Sequence, residues 1–261
     1  FAMANYCAIS KETREYAKSI IRKLNHYMRR ETTDGHTKSG LRLSLNLLLH
    51  GVDDIWNDIK PLISIFRCHV QSLNIKNRSL AAKCLILILQ SKNEKEQEKW
   101  PNKKYVDEFR SQDVPKDVYK SIIHLEEYCP RVFDLALLLV QAGLYDDLKM
   151  FLSDDFINFC EKILYNFDLN ISSFFDLISE LMPQINQTLY EKELISRIID
   201  IANDGSFENM KSATFCLIKF MNTVDSQLRI ETAANGAFQA CCNLIGTSID
   251  SIECIVALLE T

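Results

Sequence analysis

The chain has 261 residues, 47% of them apolar and 25% charged, and a net charge of −5. Seven glycines and five prolines are too few for an all-β protein that turns every ten residues or so, for a collagenous repeat, or for a disordered polymer. Apolar runs such as Cys84–Leu89 and Leu135–Val140 stop far short of the roughly 20 residues needed to cross a bilayer, so no membrane-spanning helix is expected.

Charge is unevenly placed. Residues 1–130 carry a surplus of six positive charges and residues 131–261 a surplus of eleven negative ones, a polarity that can orient a charged partner but does not bear on fold. Nine cysteines are an odd number. Cys84, Cys216 and Cys254 sit inside apolar helical runs rather than at turns, which suits free buried thiols and a reducing cytoplasmic location better than a disulfide framework.

In chain order, residues 11–30 place Tyr16, Ile20, Leu24, Tyr27 and Met28 on one helical face. Lys11, Arg14, Lys18, Arg22 and Arg29 fall on the other and form a candidate basic patch. The stretch Glu31–Ser39, rich in Thr, Asp and Gly, reads as a break. A helix is predicted over Gly40–His50, a longer one over about Asp53–Leu73 with Pro61 starting or kinking it, and a third over Arg78–Gln90, apolar on three sides as a sandwiched helix must be. Lys92–Lys104 holds eight charges in thirteen residues and reads as a solvated linker. Beyond it, helices are predicted at Tyr105–Gln112, Lys116–Tyr128, Arg131–Ala142, Leu144–Leu152, Phe156–Tyr165, Ile171–Met182, Tyr190–Ala202, Phe207–Thr223, Ser226–Thr232, Ala237–Ile245 and Ile249–Glu260. No segment reads as a strand.

The segments repeat. Ile198–Met221 and Ala240–Thr261 share one layout: an apolar helix, a short polar turn containing Gly, and a longer apolar helix. Ile201 pairs with Leu244 and Met210 with Ile252; Phe156–Met182 and Asp58–Gln90 follow the same plan. A period of about 40 residues built from two or three helices points to a stacked array, because one such unit cannot cover its own apolar face. The segment Glu231–Glu260, with a small helix before Gly236, an apolar helix from Ala237, a polar turn and a core helix, resembles an armadillo repeat. That resemblance implies an all-α, right-handed superhelical solenoid of about six such repeats. Its expected organisation is residues 1–91, the charged segment 92–104, and residues 105–261, running as one solenoid. A more local likeness, KYVDEFRS at Lys104–Ser111 and CLIKFMNT at Cys216–Thr223, is similar to the autoinhibitory armadillo region of diaphanous-type formins. It implies binding of a Rho-type GTPase and of the protein's own tail, although the segment between the two motifs is about one repeat too long. The array stops at Thr261 with no polar capping helix, so a longer parent chain is expected.

Signals for chemistry are sparse. Cys68-His69 and Cys241-Cys242 are adjacent and diverge by about 100° on a helix, no CxxC or HExxH occurs, and His26, His36, His50, His69 and His124 are scattered. No glycine-rich phosphate cradle is present. The pairs Asp53-Asp54, Asp146-Asp147 and Asp154-Asp155 border apolar helical runs, where capping and the helix dipole call for acids. The chain is therefore expected to be non-catalytic, with no cofactor and no metal.

The last helix of each repeat is expected to line a binding groove. Its isolated polar residues are the candidate partner-binding positions: Arg42, Asn46, Lys83, Gln90, Asp134, Gln141, Asp176, Glu180, Lys211, Lys219, Glu253 and Glu260. Most fall in pairs four or seven apart, on one helix face. An importin-type groove needs a Trp and an Asn on these helices; Trp56 and Trp100 lie elsewhere and only Asn46 resembles the Asn. The resulting expectation is a cytoplasmic scaffold or regulatory domain holding a peptide, helix or domain of another protein, a small GTPase under the formin likeness. A nucleic-acid-binding array is the alternative, resting on the basic patch and disfavoured by a pI of about 5.6. Membrane adsorption is disfavoured because the apolar face of that helix is needed for the core.

Overall fold

The computed structural model describes residues 34–49, 52, 55–91, 100–124, 127–145, 148–165 and 170–245. These are helical apart from turns, with no strand among them. The chain divides into two compact units, residues 1–145 and 146–261; the charged segment 92–104 falls inside the first.

Among the described residues, the earliest helix of the first unit is α1 (Asp34–Leu48). The break read at Glu31–Ser39 is corrected here, since Asp34–Ser39 is helical. Two hydroxyls that would otherwise compete with the backbone bond back along the helix: Ser39 Oγ donates to the Gly35 carbonyl and Ser44 Oγ to that of Gly40, both at 3.0 Å. The buried stripe Leu41, Leu43, Leu47 and Leu48 then anchors the helix. Next come α2 (Trp56–Ile59), a 3-10 turn at Lys60–Leu62 and α3 (Ile63–Val70). Pro61 sits at the start of the 3-10 turn, where its missing N–H costs nothing.

Helix α4 (Ile75–Gln90) is capped by Asn74, whose side chain accepts from the amides of Lys76 and Asn77. Ala81, Ala82, Cys84, Leu85, Ile88 and Leu89 are all fully buried, and the helix packs against α1, α3 and α7. After it come α5 (Lys103–Ser111), capped by Asn102, α6 (Val114–His124) and α7 (Pro130–Gln141). Gly143 ends α7 at φ 63°: its amide bonds the Val140 carbonyl and that of Leu144 reaches Leu139, both at 2.9 Å, the paired bonds of a Schellman stop. Helix α1 stacks on α4 and α4 on α7, while α3 stacks on α6. Among the described residues the unit thus has an inner layer (α1, α4, α7) and an outer one (α3, α6).

Polar links tie its outer edge. Lys60 Nζ lies 2.7 Å from Glu108 and Arg67 Nε 2.8 Å from Asp117. Partial burial opposes ionisation of Glu108, but hydrogen bonds from Lys60 and Gln112 and the Lys60 charge outweigh it and hold its pKa below the usual value. A depressed carboxylate stabilises the fold above its unfolded pKa, and that stability disappears as pH falls through the folded one. Urea midpoints are therefore expected to fall more steeply with acidification in the wild type than in Glu108→Gln, and parallel profiles would exclude the link.

The second unit contains a 3-10 turn (Leu148–Leu152), α8 (Asp154–Leu164), α9 (Ser172–Glu191), α10 (Leu194–Asp204), α11 (Phe207–Thr223), α12 (Ser226–Thr232) and α13 (Phe238–Ile245). Ser153 caps α8, and Asp154 and Asp155 are exposed in its first turn, the dipole role expected of them. The other two acidic pairs lie outside the described residues. The predicted end at Met182 is overturned: α9 runs on through Pro183 to Glu191. Pro183 is exposed, whereas Ile185 and Leu189 beyond it are buried, so burial on the inner stripe outweighs one lost bond on the wet side. Lys192 and Glu193, the latter at φ 59°, make the turn into α10, which moves the start of the helix predicted at Tyr190.

Helices α9 and α11 stack side by side, and α10 lies against α8, α11 and α13. The layering of the first unit is repeated. Helices α8, α10 and α13 begin at Asp154, Leu194 and Phe238, the period of about 40 residues read from the sequence. Gly236, at φ 121°, joins the α12 end to α13, and a Cβ there would lie 3.0 Å from Ile199 Cγ2. Gly236→Ala is expected to cost about 1–3 kcal/mol, read as a lower urea midpoint; an unchanged midpoint would mean that the turn relaxes freely.

Candidate functional site

Among the described residues α4 has α3 behind it, α7 has α6 and α11 has α10, with stacked neighbours beside them. What remains is one long stripe per helix facing solvent. On α1 it comprises Lys38, Ser39, Arg42, Leu45 and Asn46, all partly exposed, ending at exposed Leu49. On α4 it runs Lys76, Ser79, Leu80, Lys83, Ile86, Leu87 and Gln90. On α7 it runs Arg131, Asp134, Leu137, Leu138 and Gln141. Spacings of three and four residues keep each set on one face.

The candidate residues of the first unit (Arg42, Asn46, Lys83, Gln90, Asp134 and Gln141) therefore all reach the open inner layer. Asp134 is paired with Arg131 one turn earlier, at 2.8 Å. In the second unit Asp176 and Glu180 lie exposed on α9, while on α11 Lys211 is partly exposed and Lys219 exposed. Because α9 and α11 stack, the acidic pair and the basic pair stand on neighbouring helices. Glu253, Glu260 and the basic-patch residues Lys11, Arg14, Lys18, Arg22 and Arg29 lie outside the described residues.

Selecting isolated polar residues missed the aliphatic half of these stripes. Leu45, Leu80, Ile86, Leu87, Leu137 and Leu138, with Phe215 on α11, are left only partly covered. Their spacing placed them with the polar residues, but an apolar residue on an apolar helix reads as core until its neighbours are known. Lys38 and Lys76 were also missed, although Lys38 precedes Arg42 by one turn.

Two buried polar groups fix the inner helices in place. Arg78, only 2% exposed, donates from Nε to the Ser72 carbonyl (3.0 Å) and from Nη1 to the Glu127 carbonyl (2.8 Å). It joins the loop that leads into α4 to the loop that leads into α7. Asn209, equally buried, accepts from the Ile171 amide at 2.9 Å and so ties the start of α11 to the start of α9. A recurring Asn-x-x-x-Ala-x-x-Cys-Leu at 77–85 and 209–217 is the sequence signal that aligns α4 with α11. Asn209→Ala strands a buried amide and is expected to cost about 1–3 kcal/mol in urea unfolding; a neutral result would show that water takes its place.

Burial raises the thiol pKa of Cys84, Cys129 and Cys160 and pushes that of Cys216 up to about 12, there opposed by a hydrogen bond from Ser179. Raised thiols are poor nucleophiles. Cys68 is exposed and Cys242 half-buried. Among the described residues no group of three His, Cys, Asp or Glu side chains could hold a metal, and no described helix is long and apolar enough to cross a membrane.

A designed armadillo repeat protein, YIII(Dq)4CqI, superposes with a TM-score of 0.61 at 14% identity, over 91% of this chain and 98% of its own. The fold is an armadillo-type helical repeat. No protein-family model and no curated protein matches the chain. In armadillo terms, α1, α4, α7, α9 and α11 occupy third-helix positions, and α3, α6 and α10 are the second helices behind α4, α7 and α11. Neither tryptophan stands on a third helix: Trp56 lies in α2, and Trp100 precedes α5 and donates from Nε1 to the Leu89 carbonyl (3.1 Å). The segments carrying the formin likeness form most of α5 and the last part of α11; the structural match bears on the fold and not on that likeness.

Proposed function

We propose that this chain is a non-catalytic protein-binding module whose third helices hold a peptide or helical segment of a partner protein. One observation carries the reading. The stripes of α1, α4 and α7 stay open to solvent while combining cations with half-covered leucines and isoleucine, a composition suited to a partner that brings both apolar and polar side chains. The helices are held by their own repeats, so little ordering accompanies binding.

The test is selection from a displayed random-peptide library on the whole chain, followed by binding to variants. Peptides are expected to lose about tenfold or more in affinity to Lys83→Glu on α4 and to be indifferent to Lys116→Glu, an exposed position on outer helix α6. Peptides that respond to Lys116→Glu and ignore Lys83→Glu would overturn the reading.

A further inference from the structure

Charge is not shared evenly between the inner layers. Helix α4 contains no Asp or Glu at all, yet presents Lys76 and Lys83 on its open stripe, and α1 presents Lys38 and Arg42 beside them. The one anion on the α7 stripe, Asp134, is engaged by Arg131. In the second unit the corresponding stripe of α9 carries Asp176 and Glu180 instead. The surplus of positive charge in the front half of the chain is thus concentrated, in part, on one built surface.

From this we propose that the inner layer of the first unit recognises an acidic segment of a partner protein in which carboxylates alternate with aliphatic side chains. This deepens the function proposed above and rests on it. The basis is complementarity on two counts. Lys38, Arg42, Lys76 and Lys83 attract and position carboxylates. Leu45, Ile86 and Leu137, one on each helix and partly exposed, offer apolar contacts between them. Stacked helices stand about 8–10 Å apart, and an extended chain rises about 3.3 Å per residue. A segment crossing from α1 to α4 therefore passes from one cationic row to the next within about three residues. A nucleic acid would use the same cations, but single strands also need aromatic faces on which to stack bases. Among the described residues the open stripes of α1, α4 and α7 carry no Phe, Tyr or Trp.

The experiment uses the whole chain and three labelled probes in fluorescence anisotropy: a synthetic peptide of alternating Glu and Leu with a solubilising tail, its Gln-for-Glu counterpart, and a single-stranded oligonucleotide. The acidic peptide is expected to bind at least about tenfold more tightly than the Gln peptide, to weaken as salt is raised, and to lose about tenfold or more in the charge reversals Lys38→Glu and Lys83→Glu. The milder Lys83→Gln should lose less, and Lys116→Glu should change affinity less than about twofold. If both peptides bind equally and both are lost in Lys83→Glu, the inner layer binds peptides without this acidic preference, and the inference fails while the docking surface stands. If neither peptide responds to the inner substitutions, both readings fail. Tighter binding of the oligonucleotide, lost in the same variants, would replace the acidic segment with a phosphate backbone and overturn the inference.

Discussion

Ala213→Asp is expected to remove most of the stability of the second unit. Ala213 is fully buried on α11, the helix that packs against both α9 and α10. A methyl-sized side chain there lets the helices approach closely, and an aspartate would bring an unpaired charge into a seam with no water. The cost is about 4 kcal/mol or more, a large share of the roughly 5–15 kcal/mol that holds a typical domain. Urea unfolding followed by circular dichroism reads it. Two comparisons isolate the cause: Ala213→Gly should lose about 1 kcal/mol through helix propensity, and exposed Lys219→Asp should stay within about 0.5 kcal/mol of wild type. An Ala213→Asp transition lying over that of the wild type would show that the seam tolerates charge and runs elsewhere.

Arg78→Ala is the second large effect, in the first unit. The guanidinium is buried and donates in two directions to main-chain carbonyls, so the truncation leaves both carbonyls unpaired and opens a cavity beside α4. Two stranded carbonyls and the cavity together cost about 3–5 kcal/mol. Arg78→Lys should recover only part of it, because one ammonium cannot reproduce a planar fork spanning the Ser72 and Glu127 carbonyls. Arg78→Met keeps most of the volume and none of the bonds, and is expected to cost about 1–3 kcal/mol. A methionine variant as stable as the wild type would mean that the arginine contributes only bulk.

Native thiol titration offers a milder check. Among the described cysteines, Cys68 is expected to react with a disulfide reagent in the folded state, whereas Cys84, Cys160, Cys216 and Cys241, all buried, should react only on unfolding. Rapid modification of Cys216 would contradict the packing of α11.

Much of this architecture was legible from local patterns. The helices at Phe207–Thr223 and Ser226–Thr232 begin and end where the sequence places them, because apolar spacing marks the first and Asp225 caps the second. Disagreements arose where distant packing overruled a local signal. Gly35, Thr37 and Ser39 look like a turn, but α1 is held by the leucines that follow. Pro183 looks like a stop, but Ile185 and Leu189 are buried on the far side of it. The candidate site was half legible: Arg42, Lys83 and Asp134 stand out as polar interruptions, while Ile86 and Leu137 are indistinguishable from core.

By itself, the sequence determined helix type, the period of about forty residues, and the residues that share each helix face, since all three follow from spacing along a single helix. Tertiary structure alone decided which apolar stripe is covered and which stays wet, and that Arg78 turns inward to two carbonyls rather than outward to solvent. The reason is physical: a helix needs its own hydrogen bonds to form, but the burial of a side chain depends on neighbours that arrive from some forty residues away in the chain.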